Sequence, residues 1–203
     1  MSDAYLSIKE PSSARLTRKK SRFIGLLYPV STEAEIETIL KRVKRTYHDA
    51  THHCTAYRLM SPSGPIVRTD DAGEPAGSAG VPILQQIEAA TLYDVLAVVV
   101  RYFGGVKLGV GGLIRAYADA TKEALAAATL IKRYRTTTLT ISFPPEMSGP
   151  MMALIHRHSV TVEHLTYNKE ARARIALPPG SVSQFTAQLQ EVTGGKARWE
   201  EEQ

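Results

Sequence analysis

The sequence predicts an α+β protein of two domains, and three observations carry that prediction. A strand with no polar residue, "VLAVVV", runs into the glycine-rich "RYFGGVKLGVGG" at 101–112 and then into an alanine-rich helical segment. The composition changes near Lys132, where the threonine-rich "TTTLTISFP" begins. From there the segments read strand, helix, strand, strand, helix, strand, the ferredoxin-like split βαβ order. With 203 residues the chain is long enough for two cores. We divide it into a lead segment 1–17, a first α+β domain 18–132 and a second, ferredoxin-like βαββαβ domain 133–203.

The chain to about Lys20 reads as loosely structured, with the basic cluster "RKKSR" at 18–22 as a solvated entry to the first strand, "RFIGLLYPV". Thr32 and Glu35 form a capping box, so a helix starts there, with Ile36, Ile39, Leu40 and Val43 as its buried stripe. Lys41, Arg42, Lys44 and Arg45 complement the negative end of that helix dipole. "HCTAYRLM" is the next strand. The stretch "TDDAGEPAGSAGVP" is too broken for regular structure until a helix begins in "ILQQIEAATL". The strand 95–103 lacks alternation and so has both faces buried. A helix follows from about Gly112 to Ala128.

In the second domain, Leu139, Ile141 and Phe143 share one face of the threonine-rich strand. Pro150 opens a helix carrying Met151, Leu154 and Ile155. Strands 160–167 and 171–177 form a hairpin about Asn168-Lys169. Ser181 with Gln184 makes a second capping box, for a helix with the stripe Val182, Phe185, Leu189 and Val192. Gly194-Gly195 ends it, and "KARWE" is the last strand. Arg172 and Arg174 alternate with Ala173 and Ile175, which points the arginines to the helix-free face of the sheet.

Bulk properties narrow the function classes. No apolar run reaches membrane-spanning length, and the N-terminus lacks the apolar core of a secretory signal. The single cysteine, Cys54, excludes an internal disulfide framework and fits a reducing cytoplasm. The net charge is +5, with 17 basic and 13 acidic side chains in 1–132 against 8 and 7 in 133–203. The basic excess therefore sits in the glycine-rich half, where an acidic partner such as RNA would be met.

Three stretches carry candidate chemistry. The 101–112 loop lacks the Gly-Lys-Ser/Thr ending of a P-loop and the Gly-x-Gly-x-x-Gly of a dinucleotide site. It still places Arg101, Lys107 and Arg115 beside Gly109, Gly111 and Gly112, whose backbone N–H groups open a helix and suit an anion. The competing reading gives these glycines to tight turns and close packing. "DDAGEPAGSAG" supplies Asp70, Asp71 and Glu74, an acid/base set with His53 or simply turn residues. "HHC" at 52–54 places His52 and Cys54 on one strand face and His53 on the other; without a second ligand cluster, no metal or cofactor is expected.

"DDAGEPAGSAGVPIL" followed by "VVVRYFGGVKLGVGGLIRAY", with "HHC" before them, resembles the YigZ/IMPACT family over nearly the whole chain from about Arg18. The resemblance implies a first domain similar to the second domain of ribosomal protein S5 and to domain IV of elongation factor G. It implies a second domain similar to domain V of that factor, and a protein that docks on the ribosome or structured RNA. Eukaryotic members are linked to translational control through a kinase pathway and carry an extra N-terminal protein-binding domain. This sequence starts at the shared domain, so that kinase role is not carried over, and the family offers no catalytic residues to transfer.

The leading expectation is thus a non-enzymatic, translation-associated protein that binds RNA or the ribosome. Arg101, Lys107, Arg115 and the amides of Gly109, Gly111 and Gly112 make the contact, extended by Arg172 and Arg174. The alternative is a small-molecule hydrolase or transferase using His53, Asp70, Asp71 and Glu74 with an anion held at 101–112. A third reading is an interaction module that takes a protein partner on the second domain.

Overall fold

The structure is a computed structural model and describes residues 4–61, 64–158 and 160–201. It is a two-domain α+β chain, one unit spanning Tyr5–Arg133 and the other combining Ala4 with the chain from Tyr134 onward.

In the first unit the strands are β1 (Ala4–Ile8), β2 (Ser12–Arg18), β3 (Ser21–Pro29), β4 (His52–Leu59), β5 (Ile66–Asp70), β6 (Val95–Tyr102) and β7 (Leu130–Tyr134). The helices are α1 (Glu33–Thr46), α2 (Gly80–Ala89) and α3 (Val110–Ala126). Five strands form a sheet in the order β2-β3-β6-β4-β5, every neighbour antiparallel, while β1 pairs with β7. Helix α1 covers one face, where Ile36 and Val43 meet Leu26, Val98 and Val100. Helices α2 and α3 cover the other, over Phe23, Cys54, Ala97 and Val99. Strand β6 is central and buried on both faces, which explains its unbroken apolar run.

The lead segment is therefore not loose. Ile8 lies in the core and Ser12–Arg18 is the edge strand of the sheet, zipped onto β3 from Ser12↔Leu27 to Arg18↔Ser21. Strand β1 is only five residues long and β2 is largely polar, as edge strands tend to be, so neither carries a clear apolar period. Helix α1 begins as expected: Thr32 Oγ1 accepts from the Glu35 N–H at 3.2 Å. Glu35 reaches back one residue further than the usual box and accepts from the Ser31 N–H at 2.7 Å. Helix α3 packs closely because Gly25 faces it; a Cβ there would lie 2.3 Å from the Ala120 carbonyl oxygen.

The second unit contains β8 (Thr137–Phe143), α4 (Ser148–Arg157), β9 (Thr161–Tyr167), β10 (Ala171–Leu177), α5 (Val182–Thr193) and β11 (Arg198–Glu201). Its sheet order, β11-β8-β10-β9, is that of a βαββαβ ferredoxin-like unit. Leu139, Ile141 and Phe143 meet Met151, Leu154, Phe185 and Leu189 in one core on the helix side. The second capping box does not form. A 3₁₀ turn at Pro179–Ser181 leads into α5, and Ser181 makes no side-chain cap bond. Helix α5 ends as read, with Gly194 left-handed at φ 57°.

Candidate functional site

The β2–β3 hairpin turns in two residues, Lys19 and Lys20, both at positive φ (45° and 67°). This is the geometry of a type I′ turn, which asparagine and glycine occupy at little cost. Two lysines there are strained by about 1 kcal/mol or more each. Both are exposed, with Arg18 beside them.

The glycine-rich loop that follows β6 lies directly on this turn. A Cβ at Gly104 would fall 2.1 Å from the Lys20 carbonyl carbon, so only glycine permits the approach. The Gly104 N–H donates to Ser21 Oγ at 3.1 Å and the Phe103 N–H to Thr51 Oγ1 at 3.0 Å, fixing the loop to the ends of β3 and β4. Gly105 and Gly109 sit at φ 81° and 74°, and Gly109 is the N-cap of α3. Helix α3 starts at Val110, two residues before the expected Gly112, so Gly111 and Gly112 lie within its first turn.

Three of the expected basic contacts fall into different places. Lys107 is exposed on the loop. Arg115 is exposed on α3 and lines a cleft of about 240 Å³ with Arg18, Lys19, Leu108, Gly112 and Asp119. One acid tempers that cleft, as Asp119 pairs with Arg18 at 3.2 Å. Arg101 does not belong to the surface. Its side chain is 6% exposed, and Nη1 meets Glu74 Oε1 at 2.5 Å, also buried at 4%. A strand buried on both faces carries its last arginine inward, and burial then requires a counter-ion. The Lys19-Lys20 turn was the missing element. Its sequence signal, "RKKSR" before a strand, was visible, but nothing in it announces a hairpin tip.

The acid/base set is not assembled. His53 faces the α1 side of the sheet, where its Nε2 lies 3.0 Å from the Tyr47 carbonyl. Burial lowers its pKa, assisted by Lys44 and only partly opposed by that hydrogen bond. Asp70 accepts from the Ala72 N–H at 2.8 Å in a local turn. Asp71 accepts from the N–H groups of Gly77 (2.7 Å), Ala79 (2.9 Å) and Gly80 (2.8 Å). Partial burial works against its charge, but these three donors outweigh it and hold the carboxyl below the usual range. Glu74 alone points into the core, taking the Tyr117 hydroxyl at 2.6 Å besides Arg101, with His52 Nε2 at 3.8 Å. Cys54 donates to the Asp71 carbonyl at 3.1 Å, and burial pushes its thiol up to about 12, against the lowering effect of Tyr117. Among the described residues, no group of three or more histidine, cysteine or acidic side chains is placed to hold a metal ion.

In the second unit, Arg172 and Arg174 are exposed on the helix-free face, as the alternation required. Arg174 pairs with Glu163 at 3.2 Å. Arg172 and Arg198 flank Ser142 on adjacent strands and line a cleft of about 280 Å³, which Glu170 and Glu200 also border. No helix among the described residues is long and apolar enough to cross a membrane.

Comparison with known proteins gives this geometry a family context. Residues 19–125 match the model of the Impact N-terminal domain. The chain is 32% identical to the IMPACT family member YvyE of Bacillus subtilis, over 97% of this chain and 90% of that protein. It is 34% identical to the IMPACT family member YigZ of Escherichia coli, covering 87% of each. The rabbit protein named IMPACT matches at 28% over 46% of this chain and 30% of its own length. A crystal structure described only as that of an hypothetical protein superposes with a TM-score of 0.75 at 29% identity, over 98% of this chain and 97% of the other.

Proposed function

From the premise that this chain belongs to the IMPACT family, we propose that it is a translation-associated protein that binds RNA or the ribosome through its first unit. One observation carries the reading: a strained turn of two lysines is locked by Gly104 against the glycine-rich loop. Arg18, Lys19, Lys20, Lys107 and Arg115 thereby become exposed cations of one hairpin, loop and helix start, with Asp119 the acid beside them. Such a cluster neutralises phosphates and releases counter-ions from a nucleic acid. The backbone N–H groups at Gly111 and Gly112 add positive potential at the start of α3. Strain retained at a surface turn is a signature of a site selected for contact rather than for stability.

The reading differs from the sequence expectation in its residues. Lys19 and Lys20 replace Arg101, which anchors the loop from beneath. The second unit extends the reading with Arg172 and Arg198 on its open sheet face. The family's eukaryotic branch, as the sequence resemblance implies, acts in translational control, and this supports the same class of partner.

The test is co-sedimentation with ribosomal subunits at low and moderate salt, using the native chain and a Lys19→Gln/Lys20→Gln/Lys107→Gln variant. Salt-sensitive binding lost in the variant is expected. Salt-independent association, or none at low salt, would overturn the proposal.

A further inference from the structure

Phe103 is the feature the cationic reading leaves unused. It is 47% exposed at the base of the glycine-rich loop, one residue from Gly104 and its contact with Lys20. An exposed phenylalanine costs solvation and gains nothing from being held still, yet this one is fixed on two sides. Its backbone N–H is tied to Thr51 Oγ1 at 3.0 Å. One face of its ring lies on the Arg101 guanidinium, 5.5 Å from the ring centroid. The same guanidinium sits 5.5 Å from the Phe23 ring centroid and is locked by Glu74. One buried cation thus contacts two rings, Phe23 in the core and Phe103 at the surface.

Resting on the RNA reading above, we infer that Phe103 is a stacking platform for an unpaired nucleobase, with Lys19, Lys20 and Lys107 holding the flanking phosphates. A flat ring with fixed orientation loses little entropy when a base is laid on it. The cations around it select a partner that is both aromatic and anionic, which describes a nucleotide in a loop, bulge or single strand. Paired bases in a duplex are already stacked and offer no face to the ring. The same loop and the helix that follows it also expose Val106, Val110 and Ile114, apolar surface that the sugars and base edges of a bound strand could cover. Arg101 is a positioning residue here: it orients the ring without touching the RNA.

The experiment compares three probes by fluorescence anisotropy at low salt: a single-stranded RNA of about ten nucleotides, a stem capped by an unpaired loop, and a blunt duplex of equal charge. Phe103→Ala, Phe103→Leu and Phe103→Trp are measured beside the native chain, and their thermal melts confirm folding. The native chain is expected to prefer the two unpaired probes. Phe103→Ala is expected to weaken them about tenfold while leaving the duplex unchanged. Phe103→Leu, which keeps an apolar side chain without a π-face, should lose as much. Phe103→Trp should keep affinity, with its emission quenched on binding beyond the change seen for native Trp199. Equal affinity for all probes, unaffected by Phe103→Ala, would overturn the stacking inference and leave the RNA reading standing. Absence of binding to every probe would overturn both.

Discussion

Arg101 and Glu74 form an ion pair inside the first unit, with Nη1 at 2.5 Å from Oε1 and both side chains less than a tenth exposed. Strand β6 supplies the cation, and the loop between β5 and α2 supplies the anion, so the pair fastens that loop to the sheet. Tyr117 from α3 gives Glu74 a second donor, its hydroxyl at 2.6 Å. Removing one partner leaves the other charged and buried. Glu74→Ala is expected to lower unfolding stability by about 3–5 kcal/mol, read by urea denaturation. Replacing both residues together, Glu74→Leu with Arg101→Met, should recover most of that loss. If the double variant is no more stable than the single one, the pair is not the coupling unit described here.

How far the sequence reaches is clear from individual residues. Strand β6 and helices α1 and α3 were readable because burial imposes their period directly: no polar residue interrupts Val95–Val100, and Leu113, Ala116, Tyr117, Ala120 and Ala124 recur at helical spacing. Strands β1, β2, β5 and β7 were not, being short, partly exposed and satisfied by pairing rather than by an apolar face. For the site, the sequence carries one clue to where Arg101 points. An arginine ending a strand buried on both faces has to find an acid, and Glu74 lay in the neighbouring motif. The Lys19-Lys20 turn had no such clue, because two lysines carry no turn propensity and their conformation is imposed by the pairing of β2 with β3.

Asp71 makes stability depend on pH in a stated direction. Its folded carboxyl titrates below the ordinary carboxylate range despite partial burial, because the Gly80, Gly77 and Ala79 N–H groups favour the anion. Its contribution is complete above the unfolded carboxylate pKa and is lost as pH falls through the lower folded value. The acid limb of stability, followed by thermal melting between about pH 5 and 2, should therefore be flatter in Asp71→Asn, which starts less stable at neutral pH. An unchanged slope would remove Asp71 from the acid transition.

Cys54 is expected to be silent toward thiol reagents in the folded state. Burial raises its pKa to about 12, so almost no thiolate exists at pH 8 and the sulfur is shielded. Labelling should follow unfolding and rise with urea in step with the loss of structure. The same shift means that its contribution is intact below the unfolded thiol pKa near 9.0 and is lost as pH rises toward 12. Rapid modification of native protein at pH 8 would place Cys54 in a more open setting than the core of the first unit.

Gly104 and Gly105 are adjacent but not equivalent. A methyl at Gly104 meets the Lys20 backbone, which cannot rotate away, whereas a Cβ at Gly105 meets nothing within 4 Å and is resisted only by φ 81°. Gly105→Ala should cost about 1–2 kcal/mol. Gly104→Ala should cost more, and should weaken RNA binding as well, because it separates the loop from the lysine turn. Denaturation and anisotropy on both variants decide this; equal effects in the two would mean that the close approach has no consequence.

The lysine turn makes the sharpest prediction, because stability and binding should move in opposite directions. Lys19 and Lys20 hold left-handed backbone angles that asparagine and glycine adopt readily. Lys19→Asn/Lys20→Gly keeps the two-residue connection and relieves that strain, and with the freedom the new glycine adds to the unfolded chain partly offsetting the gain, the variant should be more stable by about 1 kcal/mol. It also removes two of the cations assigned to phosphate contact. For a single strand, each lost phosphate contact lowers the slope of log affinity against log salt by about 0.7, so this variant should lose about 1.4 of slope and bind more weakly at low salt. A variant that gains stability and keeps full, equally salt-sensitive binding would show that the lysines are placed there for reasons other than the nucleic acid. One that loses both would show that the turn conformation depends on lysine in a way its geometry does not indicate.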